Sequence, residues 1–179
     1  MFAELIARAC SGAIQLLTGA RALWLGCAPS SAHRVYYGNH TSHGDFVLIW
    51  SSLPPALRRQ VRPVAAADYW QRDRLRRYLI DAVFNGVLVQ REAGNRQHDP
   101  LQVLCTAVDQ GCSLILFPEG TRSYGRGLLP FKMGAFHIAL EAKVPLVPVC
   151  MSSTHQQFKL NRWNNGKVII QMLAPVELS

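Results

Sequence analysis

From residue 33 onward, short apolar runs alternate with segments of helical period, and this alternation restricts the fold more than any other feature of the chain. Residues 34–37, 61–65, 86–90, 113–117, 144–151 and 167–173 have the length and β-branched or apolar content of strands, with Pro63 weakening the second. Between them, residues 40–50 read as a turn into a helix that Pro54-Pro55 ends. Residues 68–84 read as one helix with Trp70, Leu75, Tyr78, Leu79 and Val83 on its apolar face. Asp99-Pro100 opens another helix as N-cap and first turn, Gly111 closes it, and residues 132–142 are helical. The pattern predicts an α/β fold: a mixed, largely parallel sheet flanked by helices. Loops that follow strands then become the natural place for a site.

The first 30 residues differ in character. Glu4, Arg8, Ser11, Gln15 and Thr18 recur at helical spacing as a narrow polar stripe, and Leu5, Ile6, Ile14, Leu16 and Leu17 fill the rest. No run there reaches the roughly 18 uncharged apolar residues that a spanning helix needs. The segment fits an amphipathic, membrane-associated helix lying in an interface, or an ordinary helix packed on the domain. A signal peptide is disfavoured, because Glu4 stands where basic residues are needed and Arg21 interrupts the apolar run ahead of Leu25-Gly26-Cys27. The expected organisation is an interfacial helix in residues 1–30 and one domain in residues 31–179. At 49% hydrophobic and 17% charged residues, the chain has more apolar surface than a soluble protein of ordinary composition must hide. The five cysteines are scattered, without a CxxC pair, so reduced thiols are expected rather than a disulfide framework or a zinc site.

A net charge of +8 favours an anionic partner. Between Arg58 and Arg77, seven arginines face two aspartates, a local net of +5. Tyr69, Trp70 and Tyr78 interleave with Arg72, Arg74, Arg76 and Arg77, a pattern suited to the headgroups of an anionic membrane surface. No nucleic-acid recognition module accompanies these arginines, so nucleic acid is not expected as a partner.

Two blocks hold the chemistry. Asn39-His40-Thr41-Ser42-His43-Gly44-Asp45 places an imidazole and a carboxylate five residues apart at a strand-to-helix turn. A neutral imidazole takes a proton from an alcohol as a bond forms, and a carboxylate on its other nitrogen fixes the tautomer. The same residues also fit a helix cap beside a loop histidine, or ligands of a metal that would need a further residue from elsewhere. Phe117-Pro118-Glu119-Gly120-Thr121-Arg122-Ser123 follows an apolar run. Glycine lets main-chain N–H groups approach an anion, the hydroxyls add donors, and Arg122 can grip a phosphate bidentately. Glu119 can hold Arg122 or bond a substrate hydroxyl. Lys132 is a further candidate anion contact. A base and a phosphate cradle together fit acyl transfer to a phosphorylated alcohol.

These blocks resemble those of the glycerolipid acyltransferases, particularly the bacterial 1-acyl-glycerol-3-phosphate acyltransferases. The N-H-x-x-x-x-D motif is met by Asn39, His40 and Asp45, and F-P-E-G-T-R-S is matched from Phe117 to Ser123. The apolar run ending in Arg91 and Val144-Pro145-Leu146-Val147-Pro148 resemble the remaining two motifs, and all four stand in family order. The resemblance implies that His40 is the general base and Asp45 orients it. It implies that Arg91, Glu119, Gly120, Thr121 and Arg122 bind the glycerol phosphate and that Pro145 helps shape the acyl site. It implies a fatty acyl thioester donor, acyl-CoA or acyl carrier protein, as co-substrate, a lysophospholipid acceptor, no metal and no further cofactor. A place on the cytoplasmic face of the inner membrane, peripheral or monotopic, goes with that reading. His43 and Gly44 depart from the aromatic and apolar residues frequent before the motif aspartate, and Gln90 stands where some members carry an acid. Another lysophospholipid or lipid amine as acceptor, an acyl thioesterase and a non-enzymatic membrane-binding protein remain as rival expectations.

Overall fold

The computed structural model describes residues 2–42, 44–90, 99–124, 127–152 and 168–178. In chain order the elements are α1 (Phe2–Thr18), β1 (Arg21–Trp24), β2 (Val35–Gly38), α2 (Asp45–Ser52), α3 (Pro55–Arg58), β3 (Val61–Ala66), α4 (Ala67–Trp70) and α5 (Arg74–Tyr78). A π-helical turn (Leu79–Val83) follows, then β4 (Val87–Val89), α6 (Pro100–Asp109), β5 (Ser113–Leu116), α7 (Gly134–Glu141), β6 (Leu146–Ser152) and β7 (Ile169–Met172).

The strands form one sheet in the order β1-β7-β6-β2-β5-β3-β4. Every pairing is parallel except β6 with β7. The expected mixed, largely parallel sheet is therefore present. β2 sits between β5 and β6, with Val35 level with Leu114 on one side and Leu146 on the other. The carboxyl ends of β2, β5, β3 and β4 consequently reach the same edge of the sheet. Both chemical motifs follow strands that end there.

Helices cover both faces, which explains why β5 is buried along its whole length and carries only Ser113 among apolar residues. One core joins Tyr36, Ile49, Trp50, Ile80, Phe84, Ile115 and Val147 beneath α1, α2 and the π-helical turn. The other joins Val35, Leu104, Val108, Leu114, Ile138 and Leu146 beneath α6 and α7. Pro63 is tolerated because β3 pairs with β5 through Val61–Pro63 and with β4 only from Val64 on. It lies where pairing changes side, so no ladder to β4 is missing an N–H there.

Three expectations are corrected. Residues 68–84 form two short helices and a π-helical turn, not one helix. Asp73 causes the break: its side chain accepts the Arg76 N–H as an N-cap, giving the main chain a new start. As a result Leu75 and Tyr78 are exposed, whereas Ile80 and Val83 are buried. Residues 21–24, not expected as a strand, form the edge strand β1 and pair with β7. The polar stripe of α1 also faces the protein in part. Ser11 and Thr18 are buried and the Gln15 side chain donates to Ser51 O, while Leu5, Leu16 and Leu17 are 65%, 87% and 74% exposed. Helix α6 matches its expected ends, with the Asp99 side chain accepting the Leu101 N–H and Gly111 at φ 88°. Among the described residues, no helix is long and apolar enough to cross a membrane.

Candidate active site

β2 delivers Asn39 and His40 to the carboxyl edge of the sheet. Asn39 anchors them. Its Oδ1 accepts the Met151 N–H at 2.8 Å and its Nδ2 donates to Met151 O at 3.0 Å, so the amide extends the pairing of β2 with β6 by one residue. A helix cap is one expectation for Asn39, and the structure instead uses its amide to pair with β6. The signal was present in its side chain, which can imitate a main-chain pair.

Asp45 opens α2 and is fully buried. Its Oδ2 accepts N–H groups from Thr41 at 2.6 Å and Ser42 at 2.8 Å, and meets His40 Nδ1 at 3.0 Å. Its Oδ1 accepts the Ser42 hydroxyl. The main-chain and hydroxyl donors around Asp45 make it an acceptor, so the proton between the pair belongs on His40 Nδ1 and Nε2 is the ring nitrogen turned away from Asp45. The His40 ring stacks on Phe117, centroids 4.3 Å apart and planes 15° apart, and its side chain stays 18% exposed. The imidazole is thus held in orientation from one side and from one face, with a single ring nitrogen left for chemistry.

The second motif follows β5, the neighbour of β2. Glu119, expected to contact substrate or Arg122, is 3% exposed and builds the site. Its Oε1 accepts the His40 N–H at 2.7 Å and its Oε2 accepts the Leu129 N–H at 3.0 Å. The Ser123 N–H donates to His40 O at 2.7 Å. Both main-chain polar groups of His40 are therefore held by the Glu119–Ser123 loop, across 79 residues of sequence in the case of Glu119. Gly120 has φ 68°, a left-handed conformation that suits glycine. A Cβ there would lie 2.9 Å from Lys132 Nζ, so the lysine side chain runs directly over the glycine. The Lys132 N–H in turn donates to Pro118 O at 2.8 Å. Thr121 is exposed, and the Arg122 guanidinium lies 5.0 Å from the Tyr124 ring centroid. Ser123 is buried, and its hydroxyl has no hydrogen-bond partner among the described residues.

A cavity of about 510 Å³ opens beside this loop pair, lined chiefly by Tyr37, Leu128, Phe131, Pro148, Val149, Cys150 and Leu173, with Asn39, Thr41 and Ser123 at its polar end. Burial raises the Tyr37 phenol above its ordinary pKa, as an apolar wall would. Pro145, expected to help shape an acyl site, stands elsewhere. Its carbonyl accepts the Val35 N–H at 3.0 Å, at the amino end of β2 and β6, whereas Gly38 is level with Val149 at the other end. Pro148, from the same motif, lines the cavity. Arg91 and His43 lie outside the described residues.

The chain is similar to known proteins in sequence and in fold. A family model described as acyltransferase matches residues 27–152. The 1-acyl-sn-glycerol-3-phosphate acyltransferase of Haemophilus influenzae is 38% identical over 152 residues, covering 81% of this chain and 58% of that protein. The enzyme of the same description from Escherichia coli is 36% identical over 159 residues, covering 85% of this chain and 60% of that protein. The chain thus spans about three fifths of the length of these relatives. The crystal structure of the 1-acyl-sn-glycerophosphate acyltransferase from Thermotoga maritima shares the fold, with a TM-score of 0.74 at 23% identity over 97% of this chain and 68% of that one.

Proposed function

The chain belongs to the acyltransferase family, and from that premise we propose that it transfers a fatty acyl group from a thioester to the free hydroxyl of 1-acyl-glycerol-3-phosphate, giving phosphatidate. The observation that carries this reading is the His40–Asp45 pair, laced to the Glu119–Ser123 loop beside an apolar cavity.

In this reading His40 Nε2 takes the proton of the acceptor hydroxyl as its oxygen attacks the thioester carbonyl. Asp45 holds the Nδ1 proton and stabilises the imidazolium that forms. The tetrahedral intermediate collapses with cleavage of the C–S bond. The departing thiolate is a good leaving group because thiols are far more acidic than alcohols. No covalent enzyme intermediate is needed. Lys132, whose side chain runs over Gly120, and Arg122, two residues beyond it, supply positive charge for the acceptor phosphate. Arg91 and Thr121 join that contact by resemblance. The cavity, within the roughly 300–1,000 Å³ usual for small-molecule sites, takes the acyl chain. Acyl-CoA or acyl carrier protein serves as donor.

Placement at a membrane accords with lipid substrates. Leu5, Leu16 and Leu17 of α1 face outward, and Leu75 is 67% exposed among the arginines of α5. Exposed apolar groups beside basic ones suit a peripheral position on an anionic surface, here the cytoplasmic face of the inner membrane.

The test is thiol release from a long-chain acyl-CoA with and without 1-acyl-glycerol-3-phosphate. Release that depends on the acceptor, with phosphatidate as product, is expected. Equal release without acceptor identifies a thioesterase and overturns the proposal.

A further inference from the structure

A second cleft, of about 390 Å³, lies between the first half of α1, the end of α2, α3 and the residues around the π-helical turn. It is far from His40 in the fold. α3 precedes β3 and Asn85 precedes β4, so the cleft opens at the amino edge of the sheet, whereas His40 stands at the carboxyl edge. Its charged walls are Arg8, Arg58, Arg59, Glu4 and Asp81, and its buried floor includes Trp50.

Both carboxylates are already engaged, Glu4 with Arg8 at 3.4 Å and Asp81 with Arg77 at 3.6 Å. Arg58 and Arg59 form no ion pair among the described residues. Arg58 is half-buried and bonds only neutral acceptors: Nε donates to Leu53 O at 2.9 Å and Nη1 to Ser11 Oγ at 2.7 Å. Its guanidinium sits 5.5 Å from the Trp50 ring centroid. Burial, and next the charge of Arg8, lower the Arg58 pKa, the mark of a cation short of counter-charge. Trp50 is 4% exposed and offers the guanidinium a ring face rather than an anion. A desolvated cation without an anion is costly, and one anionic group in the cleft relieves it.

We propose that this cleft binds a phosphate group, gripped by Arg58 and Arg59. The group is either the phosphodiester of a lipid lying along the outward leucines of α1 or a free phosphate. The nearby Glu4 and Asp81 carboxylates disfavour a dianion relative to a singly charged diester.

The experiment follows the thermal unfolding midpoint of the full chain during titration with inorganic phosphate, and separately with dihexanoyl phosphatidylglycerol below its micelle concentration. A background of Arg122→Ala with Lys132→Ala weakens phosphate contact at the acyltransfer loop. A saturable rise in the midpoint is expected, and Arg59→Gln is expected to weaken the apparent affinity by about tenfold or more, the equivalent of one charge-assisted hydrogen bond. The Arg59 side chain is exposed and forms no ion pair among the described residues, so its substitution separates binding from folding. A response to the lipid alone identifies a headgroup, and a response to both reagents identifies a general phosphate site. The proposal is overturned if neither reagent moves the midpoint, or if Arg58→Gln and Arg59→Gln both leave the response unchanged.

Discussion

Glu119 places each carboxylate oxygen on a main-chain N–H, one from His40 and one from Leu129. Its substitution therefore tests how the site is built. Glu119→Gln turns one acceptor into a donor that faces another donor. It is expected to cost about 1–3 kcal/mol of stability in urea denaturation and to lower kcat, with a smaller change in the KM for acceptor. A rise in acceptor KM at unchanged stability is the result expected instead of a direct substrate contact. Asp45→Asn turns one of the two acceptor oxygens that order the turn into a donor and removes the charge that faces His40. We expect kcat to fall by about 10²–10⁴-fold, measured as acceptor-dependent thiol release. Two cysteines test the cavity. Burial, then a hydrogen bond to Glu141, raises the Cys105 pKa to about 11, so at pH 8 it is almost wholly thiol and should resist iodoacetamide. Cys150 is exposed on the cavity wall and should be labelled first. Labelling there should slow acyl turnover, and Cys150→Ser should abolish that inhibition. Unimpaired turnover after full labelling of Cys150 is the outcome that separates the cavity from the acyl site.

Among the elements, β4 depends on a close approach. A Cβ on Gly86 would come within 2.5 Å of Ile80 Cδ1, at the junction of the π-helical turn and the strand. Gly86→Ala is expected to destabilise the protein by about 1–3 kcal/mol in denaturant titration. Helix α1 presents the opposite case. Leu16→Glu with Leu17→Glu changes two outward side chains, so stability should shift by no more than about 0.5 kcal/mol per site. Co-flotation with anionic vesicles should drop sharply. Undiminished vesicle binding would assign the membrane contact to other elements. The local signals of these elements were read unevenly. Asp99 as N-cap and Gly111 as terminator were legible because a cap is decided within a few residues. Asp73 carries the same kind of signal but lies inside a run of helix-forming residues, where periodicity masked it. β1 is four residues long and half-exposed, so its pairing with β7 comes from tertiary contacts rather than from its own pattern.

At the scale of the whole molecule, the parallel register of β2 with β5 and β6 makes two distant blocks of sequence one site. The His40–Asp45 pair was legible because its spacing is local. The roles of Glu119 and Asn39 were not, since each bonds a partner 79 or 112 residues away. The two prolines of the fourth motif look alike in sequence, and only the register assigns Pro148 to the cavity and Pro145 to the far edge. The alternation of strands and helices was sufficient for the fold class because burial of a sheet on both faces imposes it. The central claim is that this register assembles a general base, His40, for attack of a lipid hydroxyl on a thioester. The most direct measurement is kcat for phosphatidate formation from a long-chain acyl thioester and saturating 1-acyl-glycerol-3-phosphate, in His40→Ala against the parent. The account predicts a loss of about 10²-fold or more with the thermal midpoint essentially unmoved. A turnover number close to the parent's would contradict it.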